Sequence, residues 1–157
     1  MGDMGCHILD GPFWACGLGE PYKMEAECDE LTDVSWPKNS HVVCHFKTEK
    51  FGEIKLHWYE GGRKPRRPKD LEATRDWDKI KGGFLIMGDA GTIMNTDDYC
   101  GSPRLIPEES MQKFLGGKKP ELKIELSLAE GEPQLELIRA IEQDKICGSN
   151  FDYSVPL

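Results

Sequence analysis

The chain has 157 residues, of which 38% are apolar and 31% charged, as expected for one globular domain and not for a disordered segment. Its net charge of -8 disfavours binding to a phosphate backbone, so we expect no nucleic-acid partner. It has neither the roughly 20 consecutive apolar residues that span a bilayer nor a signal peptide. We therefore expect no membrane partner and take the cytoplasm as the default compartment, with an exported full-length form left open.

The first third of the chain is predicted to contain a helix and a strand. Apolar residues recur at helical spacing over residues 3–18, but Gly11-Pro12 interrupts them. Because proline suits the first turn of a helix, the pattern predicts two short helices with the second beginning near Pro12. Side chains then alternate over residues 22–29, which predicts a strand.

Two alternating segments, residues 41–47 and 53–59, predict an antiparallel hairpin. One face of this hairpin is apolar and belongs to the core. The other face is half polar and holds His45, His57 and Tyr59. This group is compatible with a pocket, a subunit contact or plain solvent, and without a third ligand it is weak evidence for zinc.

The remaining chain predicts a long polar connection over 61–81, a hairpin from strands 83–87 and 92–95, and helices over 107–115 and 132–145. Residues 119–126 are predicted to be extended. Together the elements predict an α+β fold, in which an open, mostly antiparallel sheet carries helices on one face.

Three residues at the start, Asp3, His7 and Asp10, have spacings of four and three that place them on one helical face. A histidine between carboxylates suits proton transfer near neutral pH. The structural alternative is an acidic cap beside a histidine with satisfied hydrogen bonds.

The segment 63–69 is strongly basic, since five of its seven residues are Lys or Arg. Such a run attracts phosphates, carboxylate substrates or nucleic acid, or else forms a solvated loop. The motif Gly17-Leu18-Gly19 lacks a third glycine and follows a helix, so it predicts no dinucleotide site. The six cysteines form no C-x-x-C pair, so we expect reduced, structural cysteines and no metal site.

The opening residues 2–10, Gly-Asp-Met-Gly-Cys-His-Ile-Leu-Asp, resemble the D-x-G-x-H-x-x-D signature of the Gfo/Idh/MocA oxidoreductases. Residues 56–62, Leu-His-Trp-Tyr-Glu-Gly-Gly, resemble that family's strand entering an active-site loop. Residues 88–92, Gly-Asp-Ala-Gly-Thr, resemble its glycine hairpin. The resemblance follows the same order over essentially the whole chain.

Members of this family join an N-terminal Rossmann domain to a C-terminal α/β substrate domain, and they transfer hydride between a nicotinamide and a hydroxyl carbon. The resemblance implies that residues 1–157 are a single C-terminal substrate domain, truncated at both ends and without the Rossmann domain. NAD or NADP would serve the complete protein, whereas this fragment would bind no cofactor and be inactive alone. The implied substrate is a sugar or cyclitol.

The resemblance also assigns roles to individual residues. His7 would exchange the proton of the reacting hydroxyl, and Asp3 would orient the substrate or the histidine. Asp10, Tyr59 and Arg63 would contact the substrate. Two alternatives stay open: an NAD-dependent glycoside hydrolase of the same family, and a stand-alone binding or oligomerisation module that forms homo-oligomers through its open sheet.

Overall fold

The structure is a computed structural model that describes residues 1–117 and 131–157. The chain divides into two compact units, Met1–Gly117 and Lys118–Leu157. The extended segment predicted over residues 119–126 lies outside the described residues.

The first helix, α1, runs without a break over Gly5–Cys16, so the predicted interruption at Gly11-Pro12 is wrong. Pro12 has no N–H to donate to the carbonyl four residues earlier, which normally destabilises a helix interior. Pro12 and Phe13 are both buried, and their packing offsets that loss. Gly17, at φ 61°, ends the helix in the left-handed conformation that glycine adopts most readily.

The first sheet contains three antiparallel strands in chain order, β1 over Lys23–Asp29, β2 over Asn39–Thr48 and β3 over Gly52–Glu60. The predicted hairpin is confirmed as β2–β3. Its register pairs Val42 with Trp58, Cys44 with Leu56 and Phe46 with Ile54, so the predicted apolar face is also confirmed. The residues buried on that face are Cys44, Phe46 and Trp58.

The second sheet is also antiparallel and consists of β4 over Phe84–Gly88, β5 over Gly91–Asn95 and β6 over Arg104–Ile106. The predicted β4–β5 hairpin is confirmed, with a two-residue turn. At its open end, a Cβ on Gly83 (φ 97°) would lie 2.0 Å from the carbonyl oxygen of Asn95, so only glycine fits there. The three-residue strand β6 is too short to show an alternating pattern and was not predicted.

The core on the second sheet joins residues that are distant in sequence. Leu71, Met94 and Ile106 are buried together, and Trp77, Ile80 and Leu85 pack against them. Part of the long polar connection, including a 3-10 turn over Trp77–Lys79, is therefore anchored to this sheet. The connection is held on this sheet by its apolar residues, because Leu71 is buried and Trp77 and Ile80 are half-buried there.

The predicted helices near the end of the chain are confirmed. Helix α2 covers Glu108–Gly116 in the first unit, and α3 covers Pro133–Gln143 in the second. A fourth helix, α4 over Phe151–Ser154, was not predicted; the Asn150 side chain caps it by accepting a hydrogen bond from the Tyr153 N–H.

The predicted fold class is confirmed. Within residues 1–117 and 131–157, the protein is α+β, with two small open antiparallel sheets and four α-helices. None of the described helices is long and apolar enough to cross a membrane.

Candidate functional site

His7 is exposed on α1, and its ring lies beside the ring of Tyr99. The two ring centroids are 5.1 Å apart with an interplanar angle of 59°. Asp3 lies in the turn that leads into α1, where Gly5 N–H donates to the Met1 carbonyl at 2.7 Å. Asp10 follows His7 by three residues on the helix, and it too is exposed. The candidate site therefore starts from the first two turns of α1.

The contact between α1 and the Tyr99 loop depends on Gly11. A Cβ on Gly11 would lie 2.6 Å from Cys100 Sγ and 3.5 Å from the Phe84 ring, so the missing side chain allows this close approach. Burial raises the pKa of the Cys100 thiol, and the nearby carboxylates of Asp97 and Asp10 add to the effect. The thiol is therefore a neutral packing group at neutral pH.

Asp97 organises the loop over residues 97–102. Its carboxylate accepts hydrogen bonds from the backbone N–H of Tyr99 and Gly101, both at 2.9 Å, and of Ser102 at 3.1 Å. These hydrogen bonds, with that of the Ser102 hydroxyl, lower the pKa of Asp97 to about 2. Asn95, only 2% exposed, donates to the Asp97 carbonyl at 2.7 Å and accepts from Ser102 N–H. Tyr99 is thus held by a pre-organised loop.

Sequence reasoning did not single out Asp97 or Tyr99. The usable signal is an aspartate two residues after a strand and shortly before a glycine, because an aspartate that accepts from the N–H two residues further on forms an Asx turn. That signal predicts the turn itself. It does not predict that Tyr99 lies beside His7, because this contact depends on how α1 packs.

The predicted substrate residues Tyr59 and Arg63 lie in a second cluster, on the polar face of the first sheet. Glu27 accepts a hydrogen bond from Arg63 at 2.8 Å and lies 3.2 Å from His41 Nδ1. The Tyr59 ring stacks on the His41 ring with centroids 4.4 Å apart. The structure therefore brings Tyr59 and Arg63 together through Glu27 and His41.

Two further contacts complete this second cluster. His41 Nε2 lies 3.1 Å from His57 Nδ1, and burial, followed by the charges of His41, Lys55 and His45, lowers the pKa of His57. Arg63 also donates to Asp29 at 3.0 Å and to Asn39 at 2.8 Å. Among the described residues, no hydrogen bond, ion pair or ring contact joins His7 to Tyr59 or Arg63. Residue 1, however, reaches the end of β3, where its ammonium group lies 3.0 Å from Glu60 Oε2.

No group of three side chains in the described part of the chain is arranged to hold a metal ion. Both sheets there are antiparallel, and no strand–turn–helix unit with a glycine-rich turn is present. The described part of the chain therefore lacks the phosphate-binding turn that a dinucleotide site of this kind needs.

Several basic side chains of the segment 63–69 form hydrogen bonds to other groups of the protein. Arg67 donates to the carbonyls of Arg75, Leu71 and Glu72 at 2.8, 3.2 and 2.6 Å. Lys64 donates to the Trp77 carbonyl at 2.6 Å, and its ammonium lies 4.8 Å from the centre of the Trp77 ring. These side chains, together with Arg63, bond to groups of the protein itself and hold segments of the fold in place.

The fold places the protein among open α+β proteins with antiparallel sheets. No family model matches the chain, and no curated protein is significantly similar to it.

Proposed function

We propose that this chain is the substrate-side part of an NAD(P)-dependent oxidoreductase that acts on a hydroxyl group of a sugar or cyclitol, as its resemblance to the Gfo/Idh/MocA family implies. The observation that carries the proposal is the setting of His7. Its imidazole is exposed at the start of α1, and the ring of Tyr99, whose backbone N–H is bonded to Asp97, lies beside it. A proton-transfer group has to combine access to substrate with a defined position.

In this proposal His7 accepts the proton of the substrate hydroxyl as the carbon is oxidised and returns it in the reverse direction. Asp3 and Asp10 flank His7 along the chain, and they orient the substrate hydroxyls or the imidazole. Nicotinamide supplies the hydride chemistry when a dinucleotide is bound. Because the described residues do not fit a dinucleotide, NAD or NADP would be held outside them. As the resemblance implies, the chain is expected to be inactive without a dinucleotide-binding domain.

The roles of Tyr59 and Arg63 as substrate ligands stay predictions. The Arg63 guanidinium already has three partners, Glu27, Asp29 and Asn39. These bonds engage three of the five N–H groups of the guanidinium, so two donors remain for a substrate carboxylate or hydroxyl.

The test is His7→Gln in a complete oxidoreductase that contains this chain. Turnover should fall by roughly 10²–10⁴-fold because the proton acceptor is lost, while the dissociation constant of the dinucleotide should stay unchanged. The matched control is Glu20→Gln, which neutralises an exposed side chain outside both clusters and should leave turnover within a few-fold. If His7→Gln retains near-normal turnover, His7 is not the proton-transfer group.

Product analysis in the same assay separates two outcomes of this chemistry. Simple dehydrogenation leaves a carbonyl on an intact substrate, whereas the glycosidase alternative releases a free sugar from a glycoside.

A further inference from the structure

The polar face of the first sheet carries a row of hydrogen-bonding side chains that crosses all three strands. Glu27 Oε1 on β1 lies 3.2 Å from His41 Nδ1 on β2, and His41 Nε2 lies 3.1 Å from His57 Nδ1 on β3. The strand register produces this row, because Glu27 and Tyr59 both pair with His41, and His57 precedes Tyr59 by two residues on the same face. In the described part of the chain, no hydrogen bond, ion pair or ring contact joins the row to His7.

The two imidazoles of this row meet edge to edge. Their planes are within 16° of parallel and their centroids are 5.3 Å apart, yet the facing nitrogens are only 3.1 Å apart. Parallel rings that lie one above the other keep their atoms about 3.5 Å apart or more, so His41 and His57 lie side by side with these nitrogens pointing at each other. That is the geometry of a hydrogen bond in which one ring donates and the other accepts.

The Glu27 carboxylate determines which nitrogens carry protons. An ionised carboxylate only accepts hydrogen bonds, so His41 Nδ1 carries a proton and donates it to Glu27. Neutral His41 then offers Nε2 as an acceptor, and His57 has to donate to it from Nδ1. The last acceptor of the row is His57 Nε2, and His57 is exposed, so solvent protons reach it.

This arrangement can take up one proton without losing a hydrogen bond. When a proton binds His57 Nε2, the proton on His57 Nδ1 can pass to His41 Nε2. His57 is then neutral again, with its proton on Nε2, and His41 carries the positive charge beside the Glu27 carboxylate. The Tyr59 ring covers one face of that cation, since its centroid is 4.4 Å from that of His41 and the planes are within 7° of parallel.

A second proton breaks the row. With both imidazoles charged, N–H groups would face each other across 3.1 Å and neither ring could accept. Burial, followed by the charges of His41, Lys55 and His45, lowers the pKa of His57, which agrees with a ring that has to stay neutral. The titratable and charged residues on this face around the pair are Lys23, Glu25, Glu27 and Asp29 on β1, His45 on β2, Lys55 and Tyr59 on β3, and Arg63 after β3.

We propose that Glu27, His41 and His57 form a proton relay, in which protons enter at the exposed Nε2 of His57 and the charge is held on His41. The relay is a proton-binding site that makes the stability of the first sheet sensitive to acid. Folding lowers the pKa of His57 from 6.5, so the contribution of His57 is complete above pH 6.5 and is lost as the pH falls below that value. The inference does not depend on the proposed function, because none of the three residues takes part in it.

The experiment is NMR of the full chain labelled with ¹⁵N, correlating the ring nitrogens of each histidine with its ring protons from about pH 8 to about pH 5. At the alkaline end, His57 should carry its proton on Nδ1. On acidification, His41 should become charged while His57 stays neutral and changes to the form protonated on Nε2. The relay is overturned if His57 carries its proton on Nε2 at the alkaline end, or if His57 becomes charged before His41.

Variants test whether the three residues act together. His41→Gln should raise the pH at which His57 is protonated by about one unit, the size of interaction at which two sites titrate as a pair. After Glu27→Gln, His41 should no longer become charged before His57. The matched control is Glu53→Gln, which neutralises an exposed carboxylate at the other end of β3 and should change neither result. Histidines that titrate in both variants as they do in the native chain would contradict the relay.

Urea denaturation gives an independent readout with His57→Phe, which keeps a ring and removes its nitrogens. At pH 8 this variant should unfold at lower urea concentration than the native chain. The difference should shrink as the pH falls below 6.5, because the native chain then loses the same hydrogen bond. A difference that is equal at all pH values would show that protonation of His57 does not control the stability of the sheet.

Discussion

At the residue scale, Asp97 shows how a single carboxylate organises a loop. Its two oxygens together accept hydrogen bonds from three backbone N–H groups and one hydroxyl. Such bonds stabilise the charged form, which is why the pKa of Asp97 is lowered from 3.8 to about 2. The order of the Tyr99 loop is therefore linked to the ionisation of Asp97.

This linkage predicts a pH-dependent effect of Asp97→Ala. Unfolded Asp97 binds its proton more readily than folded Asp97, so its contribution is complete above pH 3.8 and is lost as the pH falls through about 2. The variant should unfold at lower urea concentration than the native chain at pH 7, and the difference should shrink as the pH falls below 3.8. Urea denaturation at a series of pH values measures this difference.

The control for that experiment is Asp33→Ala, which removes an exposed carboxylate in the connection between β1 and β2. It should shift the midpoint little at any pH. A midpoint difference for Asp97→Ala that does not depend on pH would show that its carboxylate charge is not what orders the loop.

Individual residues also show what the sequence was able to predict. The spacing of Asp3, His7 and Asp10 was sufficient to propose them as a group. The partners of Arg63 were not predictable, because Glu27 and Asp29 precede it by 36 and 34 residues and meet it only through strand pairing. The contact between His7 and Tyr99 likewise depends on the packing of α1 against the Cys100 side chain.

At the scale of elements, alternation predicted the strands because one face of each central strand is buried. Alternation correctly assigned residues to the two faces of the β2–β3 hairpin. The glycine-rich turn correctly placed the β4–β5 hairpin. Rules on local sequence were less successful where tertiary packing opposed them. Pro12 stays inside a continuous α1, since the burial of Pro12 and Phe13 outweighs the missing hydrogen bond.

The second hairpin provides a matched pair of methionines that tests where the core lies. Met94 on β5 is 1% exposed, whereas Met87 on β4 is 69% exposed. Met94→Ala should lower the free energy of unfolding by about 2–5 kcal/mol, because it leaves a cavity beside Leu71 and Ile106. Met87→Ala should change it by less than about 0.5 kcal/mol. Urea denaturation gives both values, and equal losses would contradict the assigned core.

At the scale of the whole molecule, acidic residues outnumber basic ones by 28 to 20, and the isoelectric point is about 5.0. Large apolar side chains are exposed on the described surface, among them Val34 and Trp36. Charge repulsion therefore opposes association at neutral pH and disappears near the isoelectric point.

This balance predicts a solubility minimum near pH 5.0. Light scattering across a pH series at constant ionic strength should rise toward that pH and fall again on either side. Added salt should increase scattering at pH 8, where it screens the net negative charge. Scattering that stays flat across pH 5.0 would show that net charge does not control association of this protein.

The strand order of the two sheets also bears on how the chain reaches its fold. In both sheets every strand pairs with the next strand along the chain. Such pairing closes short loops first, which keeps the entropy cost of each step low and is associated with faster folding. The β1–β2–β3 meander can thus form from its own residues, whereas the core of the second sheet has to wait until Leu71 and Ile106 meet across 35 residues of chain. The core of the second sheet is therefore expected to form after the first sheet, because its contacts close a longer loop.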